Sequence, residues 1–389
     1  MDALLVIRSC AEHYPPTVNQ ANLLAEAGLQ VGVIDLPADG TPPALQAGIR
    51  RWRVHRMWNS KLERPPSRWQ RWFQWLQFYR TCRSAIQTTA PKVVVAYDTL
   101  GTFFIPPAPR RYRTVYHFHE LTGADPAESL GPRRARLQAA QRSKHADLVV
   151  HPDAHRARIF QQRAALPVLP KVVMNCPRRL DELPSSPLRQ YLSRNLQPSP
   201  PTVCYLGSIG ADQGVVEAAA SMKHWPSTAL FVLIGPGSDR MKQSILAAAQ
   251  TAGAAGRVVF LGAFPHHEAL ALAAGADVGI SLIQPNNESW LYSAGAINKR
   301  FEFMALGIPQ VSNNSPGVSE IIEGSQAGLC VDPRNPDAIG MAIRQLLEDS
   351  ALCRRFSENA RKQHLERFNY EVQFAEVASW IASQCASKS

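Results

Sequence analysis

At 389 residues the chain exceeds the size at which one hydrophobic core keeps growing, so two domains are expected. Its 45% hydrophobic and 19% charged residues exclude a disordered or fibrous chain, and no apolar run approaches the roughly 20 residues of a membrane helix. The net charge of +11 suggests anionic partners, whether nucleic acid, a membrane surface or phosphate-bearing substrates, without choosing among them.

In chain order, residues 3–7 (ALLVI) read as a buried strand and not as a signal peptide, because no basic leader precedes them. Helical periodicity follows over 17–27, Gly28 ends it, and 31–36 is apolar again. Further short apolar runs at 92–97 (KVVVAY), 113–118 and 146–151 (ADLVVH) are separated by longer connections, the pattern of a parallel sheet covered by helices. Residues 181–201 are rich in Pro and Ser and read as a linker. A second series of strands is expected at 203–206, 230–234, 258–261, 278–282 and 310–313, with helices at 214–222 and 241–252 between them. The chain closes on a helix over about 371–385. The fold class is therefore α/β, with two Rossmann-like, doubly wound parallel-sheet domains facing a central cleft. Residues 1–180 form the first domain, with the last helix packing back on it, and 202–365 form the second. Ligands of such sheets bind outside the carboxyl ends of the strands, where helix N-termini favour anions.

Seven cysteines are scattered and none is spaced as CxxC, so a disulfide framework or zinc site is not expected and the compartment reads as cytoplasmic. Gly235-Pro236-Gly237 falls short of a dinucleotide fingerprint and predicts a tight turn after a strand. His266-His267-Glu268 lacks the zinc spacing HExxH.

The most informative stretch is 296–320, AINKRFEFMALGIPQVSNNSPGVSE. Asn298 is expected to cap a helix whose first turn holds Lys299 and Arg300, two cations that oppose the helix dipole. A diphosphate there would resolve the conflict, and Glu302, on the same face as Lys299, would accept hydrogen bonds from ribose hydroxyls. The same spacing also describes a plain surface ion pair.

The run NKRFEFMALGIPQV resembles the signature of the GT-B glycosyltransferase family 4, the group 1 transferases. VCYLGSIGADQG (203–214) is similar to the first strand and glycine loop of that family's donor domain. RVVFLGAFPHHEALALAAGADVGISL (257–282), FNYE (368–371) and VYHFHEL (115–121) resemble further family segments in the same order. The resemblance implies that Lys299 contacts the donor diphosphate and Glu302 the ribose. It implies too that Gly207 lets backbone approach the phosphates, that Glu320 sits in a turn near the donor, and that Ala263 and Phe264 frame the nucleobase. Ser208 and Gln213 stand where many members carry basic residues that grip the diphosphate. Ala294 replaces the first glutamate of the family's E-x7-E pattern, and the loop at 9–16 lacks paired glycines. His119, with Glu120, would position sugar or acceptor; a histidine held by backbone at a strand end is the plainer reading. Asp98 reads either as an active-site acid or as a helix cap.

Residues 50–83 hold ten Arg or Lys, a single acid (Glu63) and five of eight tryptophans. On a helical wheel Trp69, Trp72, Phe73, Leu76 and Tyr79 share one face, and Gln70, Gln74, Gln77 and Thr81 the other. Arg with Trp suits an anionic lipid surface on the cytoplasmic face, while a helix packed on the N-terminal sheet is the alternative.

These readings together predict an enzyme that moves a sugar from a nucleotide-diphosphate sugar, UDP- or GDP-linked, to a saccharide or lipid-linked acceptor. His119 and Lys299 would be its catalytic residues. The resemblance implies retention of configuration, no metal or other cofactor, and a place in surface polysaccharide or glycoconjugate synthesis; no nucleic-acid partner is expected. A catalytically silent nucleotide-sugar-binding scaffold and a GT-B epimerase are the alternatives.

Overall fold

The computed structural model describes residues 1–36, 44–54, 67–106, 111–121, 130–193 and 200–386. They fall into two compact units, Met1–Asn175 with Gln373–Ser389, and Cys176–Val372.

The first unit is built on a parallel sheet of β1 (Ala3–Val6), β2 (Val31–Asp35), β3 (Arg50–Arg53), β4 (Val93–Tyr97), β5 (Arg113–His117), β6 (Leu148–His151) and β7 (Lys171–Val172). Their order is β3-β2-β1-β4-β5-β6-β7. The strand β3 was hidden within a basic stretch of sequence. As the edge strand it keeps charge on its open side, while Arg51 turns inward to pair with Glu12 and Asp35. The helix Tyr370–Ala386 buries Phe374, Val377, Ile381 and Cys385, and Lys92 donates to the Cys385 carbonyl, so the chain's end belongs to this first unit.

The second unit carries β8 (Thr202–Leu206), β9 (Leu230–Ile234), β10 (Val258–Gly262), β11 (Val278–Ser281), β12 (Gln310–Asn313) and β13 (Gly328–Val331), all parallel, in the order β10-β9-β8-β11-β12-β13. The Pro- and Ser-rich stretch at 181–201 is not a linker where it is described. A short helix, Leu188–Ser193, buries Leu188 and Leu192 against Leu272 and Ala273, and the Ser186 hydroxyl donates to the Leu272 carbonyl at 3.1 Å. Apolar side chains at helical spacing outweigh the surrounding prolines here. Residues 194–199 lie outside the described residues.

Both sheets reverse their strand order once, between β1 and β4 in the first unit and between β8 and β11 in the second. Such a point leaves a crevice at the carboxyl ends of the two flanking strands. In the second unit three glycines line that end. Gly207, Gly235 and Gly262 have φ of 116°, 147° and 88°. The Gly-Pro-Gly sequence is therefore more than a turn, since a Cβ on Gly235 would lie 1.9 Å from the Gly207 carbonyl oxygen. Replacing Gly235 with Ala forces the β8 and β9 loops apart. It should cost the second unit about 1–3 kcal/mol, read as a lower midpoint in chemical denaturation; an unchanged midpoint would show that the loops part freely.

Candidate functional site

The helix Asn298–Ala305 buries every residue after Asn298. Its cap is Ile297, with no side-chain hydrogen bond, so Asn298 is the first helical residue and not the cap the sequence suggested. Extended backbone at Ile297 makes it the cap and moves the helix start one residue earlier. Neither Lys299 nor Glu302 forms the surface pair that their spacing allowed, because they are only 8% and 6% exposed.

Lys299 Nζ donates to the Tyr205 hydroxyl and to Gln213 Oε1, each at 2.7 Å, and lies 4.0 Å from the Tyr205 ring centroid. The Tyr205 hydroxyl in turn donates to the Ser208 carbonyl at 2.6 Å. Gly207 sits beside this group, where a Cβ would meet Lys299 Cε at 3.6 Å. The sequence-selected residues Gly207, Ser208, Gln213 and Lys299 thus converge on the carboxyl end of β8, at the switch point. Burial pushes the Lys299 ammonium down to about 7, and burial also raises the Tyr205 phenol, which stays protonated.

Glu302 lies one turn further along the same helix. Its carboxylate pairs with His266 Nε2 at 2.8 Å, which raises the His266 pKa. His266 opens the helix His266–Ala273 directly after Ala263, Phe264 and Pro265, so this contact ties the β10 loop to the Lys299 helix. Ala263 is exposed and Phe264 half-buried. Glu320 is exposed in the first turn of Val318–Ile322 and bonds to none of these groups.

Arg300 does not face the anion side, as its place in the first turn suggested. It is fully buried, and its guanidinium donates to the Ser293 and Ala294 carbonyls, to Ser312 Oγ and to Asn313 Oδ1 at 2.7–3.2 Å. Carbonyl groups at that distance satisfy the guanidinium fork internally, leaving Lys299 as the cation of this cluster.

In the first unit, Asp98 ends β4 with φ +55°, and its carboxylate accepts from the His119 backbone amide (2.7 Å) and meets His119 Nδ1 (3.0 Å). An ionised Asp98 only accepts, which fixes the proton on Nδ1 and leaves Nε2 as an acceptor. Among the described residues, that buried Nε2 has no hydrogen-bond partner. The ring stacks on Tyr97 and His117, and Arg156 donates to the His119 carbonyl at 2.7 Å. Behind it Gln20 contacts His117 Nδ1 (2.8 Å) and accepts from Tyr97 (2.7 Å). Glu120 is exposed.

Sequence reasoning missed Tyr205, His266, Gln20 and Arg156. His266 was weighed only as a metal ligand, although its place just after Phe264 was a usable signal.

Residues 193–363 match the model of the family described as glycosyl transferases group 1. The match lies within the second unit, and over this stretch the chain is similar to the group 1 glycosyltransferases. It is 31% identical over 163 residues to an alpha-D-kanosaminyltransferase from Streptomyces kanamyceticus, covering 41% of this chain. It spans about two fifths (40%) of that relative's length. Its fold is that of a sucrose-phosphate synthase from Thermosynechococcus elongatus, with TM-score 0.75 and 18% identity over 100% of both chains. A similar likeness holds to Anabaena HepE in complex with UDP and glucose, with TM-score 0.72 and 17% identity over 98% of this chain and 100% of that one. The two Rossmann-like parallel sheets are therefore those of the GT-B fold.

Because the folded Lys299 releases its proton near pH 7 and an unfolded lysine near 10.4, the unfolded state holds the extra proton between these values. Stability of the second unit then rises with pH over that window, by on the order of 1 kcal/mol per pH unit from this group. Lys299→Met should flatten the rise in denaturation midpoint between pH 7 and 9. An equal slope in both proteins would place the ammonium in solvent.

Proposed function

We propose that the chain transfers a sugar from a nucleotide-diphosphate sugar to an acceptor hydroxyl, with retention of configuration. The observation that carries this reading is Lys299, a buried ammonium held by neutral acceptors beside the Gly207 loop at the switch point of the family-matched domain. A diphosphate at that point would gain a charge-assisted hydrogen bond and the backbone amides of the glycine loop. Glu302 suits ribose hydroxyls, and the Ala263–Phe264 backbone suits the base. UDP or GDP is the nucleotide class proposed; no metal or cofactor is invoked. In the transfer the acceptor oxygen bonds to the anomeric carbon, the bond from that carbon to the diphosphate oxygen breaks, and the acceptor proton leaves with the departing phosphate. His119 Nε2, oriented through Asp98, is proposed to hold a sugar or acceptor hydroxyl. Acceptors would be saccharides or lipid-linked saccharides of surface polysaccharides or glycoconjugates.

A silent nucleotide-sugar binder remains the second reading. Ser208 offers its carbonyl to Tyr205, Gln213 engages Lys299, and Arg300 is spent within the fold, so this cluster holds a single cation.

Thermal unfolding with UDP, GDP, ADP and their sugar conjugates tests both. One nucleotide series should raise the melting temperature of the wild type, and Lys299→Ala and Glu302→Ala should each abolish the rise. Binding of the sugar conjugate above pH 7 should also take up a proton, measured as a buffer-dependent heat in calorimetry, since an anion favours the charged lysine. Stabilisation without turnover across acceptors would favour the silent binder, turnover without any acceptor would favour an epimerase, and no shift at all would sink the donor site.

The helix Arg68–Thr89 is proposed to meet anionic lipid. It packs inward through Gln74, Phe78, Cys82 and Ala85, so the glutamine face expected to be polar includes a buried member. Trp69, Trp72, Phe73 and Tyr79 remain 73%, 54%, 49% and 39% exposed beside Arg68, Arg71, Arg80 and Arg83. The rest of the basic segment, at 55–66, lies outside the described residues. Vesicles with anionic lipid should sediment the wild type, and a Trp69→Ser/Trp72→Ser double variant should lose about tenfold in partitioning. Equal binding to neutral vesicles would remove the electrostatic part of the proposal.

A further inference from the structure

Arg8 follows β1 at the carboxyl end of the first sheet, on one flank of the switch point whose other flank ends in Asp98. Its guanidinium carbon lies 5.2 Å from the Trp75 ring centroid and 5.9 Å from that of Phe104. Its Nε is closed off from solvent and, among the described residues, has no hydrogen-bond partner. The acids at this edge of the sheet are engaged elsewhere. Arg51 pairs with both Glu12 and Asp35, His119 holds Asp98, and Asp153 accepts from the His155 and Arg156 amides. Burial lowers the Arg8 pKa, and among the described residues no carboxylate acts against it. Exposed Glu120 has Asp98, Arg156 and His119 as its charged neighbours.

A half-buried guanidinium without a counter-charge is unfavourable, and among the described residues none supplies relief. The wall beneath it is nonetheless well fixed. Trp75 meets Phe104 at 4.6 Å between centroids, and Arg142 donates to the carbonyls of Thr102, Phe103 and Ile105 at 2.7–2.8 Å, which anchors the segment carrying Phe104. A fixed aromatic wall under a guanidinium leaves its planar fork of donors ready for an oxyanion. From Trp75 the same helix runs back to exposed Phe73, Trp72 and Trp69, so apolar surface lies along the helix that bears this cation.

We propose that Arg8 binds the phosphoryl group of a phosphorylated acceptor, with Trp75 and Phe104 as the platform beneath its guanidinium. Only the word acceptor rests on the glycosyltransferase reading; the anion site stands on the first unit alone. The phosphoryl group has two sources with the same chemistry, a soluble sugar phosphate or a lipid-linked phosphate whose chain would follow the Trp-rich helix.

The test is a titration of the full chain, followed by tryptophan fluorescence, with glucose 1-phosphate, with polyprenyl phosphate in neutral micelles, and with the same micelles carrying polyprenol. The wild type should bind at least one phosphorylated probe more tightly than its unphosphorylated counterpart, glucose or polyprenol. Arg8→Gln should weaken that binding by about 10- to 100-fold. Stabilisation by UDP should be the same in both proteins. Preference for glucose 1-phosphate identifies a soluble source, and preference for the micellar phosphate a lipid one. Should Arg8→Gln fail to fold, Arg8→Lys keeps the charge without the fork and should weaken binding severalfold. Equal affinity in a folded Arg8 variant, or wild-type binding indifferent to the phosphate, overturns the proposal. Loss of the UDP shift with phosphate binding intact would overturn the donor reading alone.

Discussion

A lysine ammonium buried beyond hydrogen-bond reach of a carboxylate draws its close contacts from neutral dipoles, while Glu302 acts on Lys299 through charge alone. Lys299 does so with one phenol, one amide oxygen and the face of an aromatic ring. The phenol accepts from the lysine and hands its own proton to the Ser208 carbonyl, so the charge is spread into the glycine loop after β8. This arrangement sets the local order of the second unit. Tyr205 must sit at the end of β8, Gln213 must turn back over the loop, and Gly207 must lack a side chain, because its φ of 116° strains any other residue. Binding energy for an anion is stored in this group as incomplete solvation of its cation.

Arg300, next in sequence, shows the contrast. Its neighbours in space are carbonyl oxygens and hydroxyls of the fold, which satisfy it and remove it from recognition. Two adjacent cations on one helix turn thus divide according to whether each side chain points to the strand β12, as Arg300 does, or to the end of β8, as Lys299 does.

The two units apply one architectural rule to different chemistry. Each doubly wound sheet opens at the point where its strand order reverses, and each places polar groups at the carboxyl ends there. In the second unit these are glycines, a lysine and a tyrosine. In the first they are Asp98, His119 and Arg8, of which Asp98 and His119 hold one another in a fixed tautomer and Arg8 is left on aromatic faces. The edge strand β3 completes the first unit by delivering Arg51 to Glu12 and Asp35, which satisfies both carboxylates.

The sequence by itself determined ten of the thirteen described strands, since runs such as KVVVAY and VCYL are short and apolar without alternation, as strands covered on both faces are; β3, β7 and β13 escaped it. It also determined that Lys299 and Glu302 share one helix, because spacing along the chain is local information. It misread the Pro-rich stretch at 181–201, the cap at Asn298 and the role of Arg300. Those depend on what lies opposite, and only the tertiary structure decided it. Lys299 meets a tyrosine 94 positions earlier and Glu302 a histidine 36 positions earlier, contacts that no local period encodes. The same holds for the tryptophans of Arg68–Thr89. Their periodicity gave a helix face, but the packing of Phe78, Cys82 and Ala85 on the sheet decided that this face looks outward.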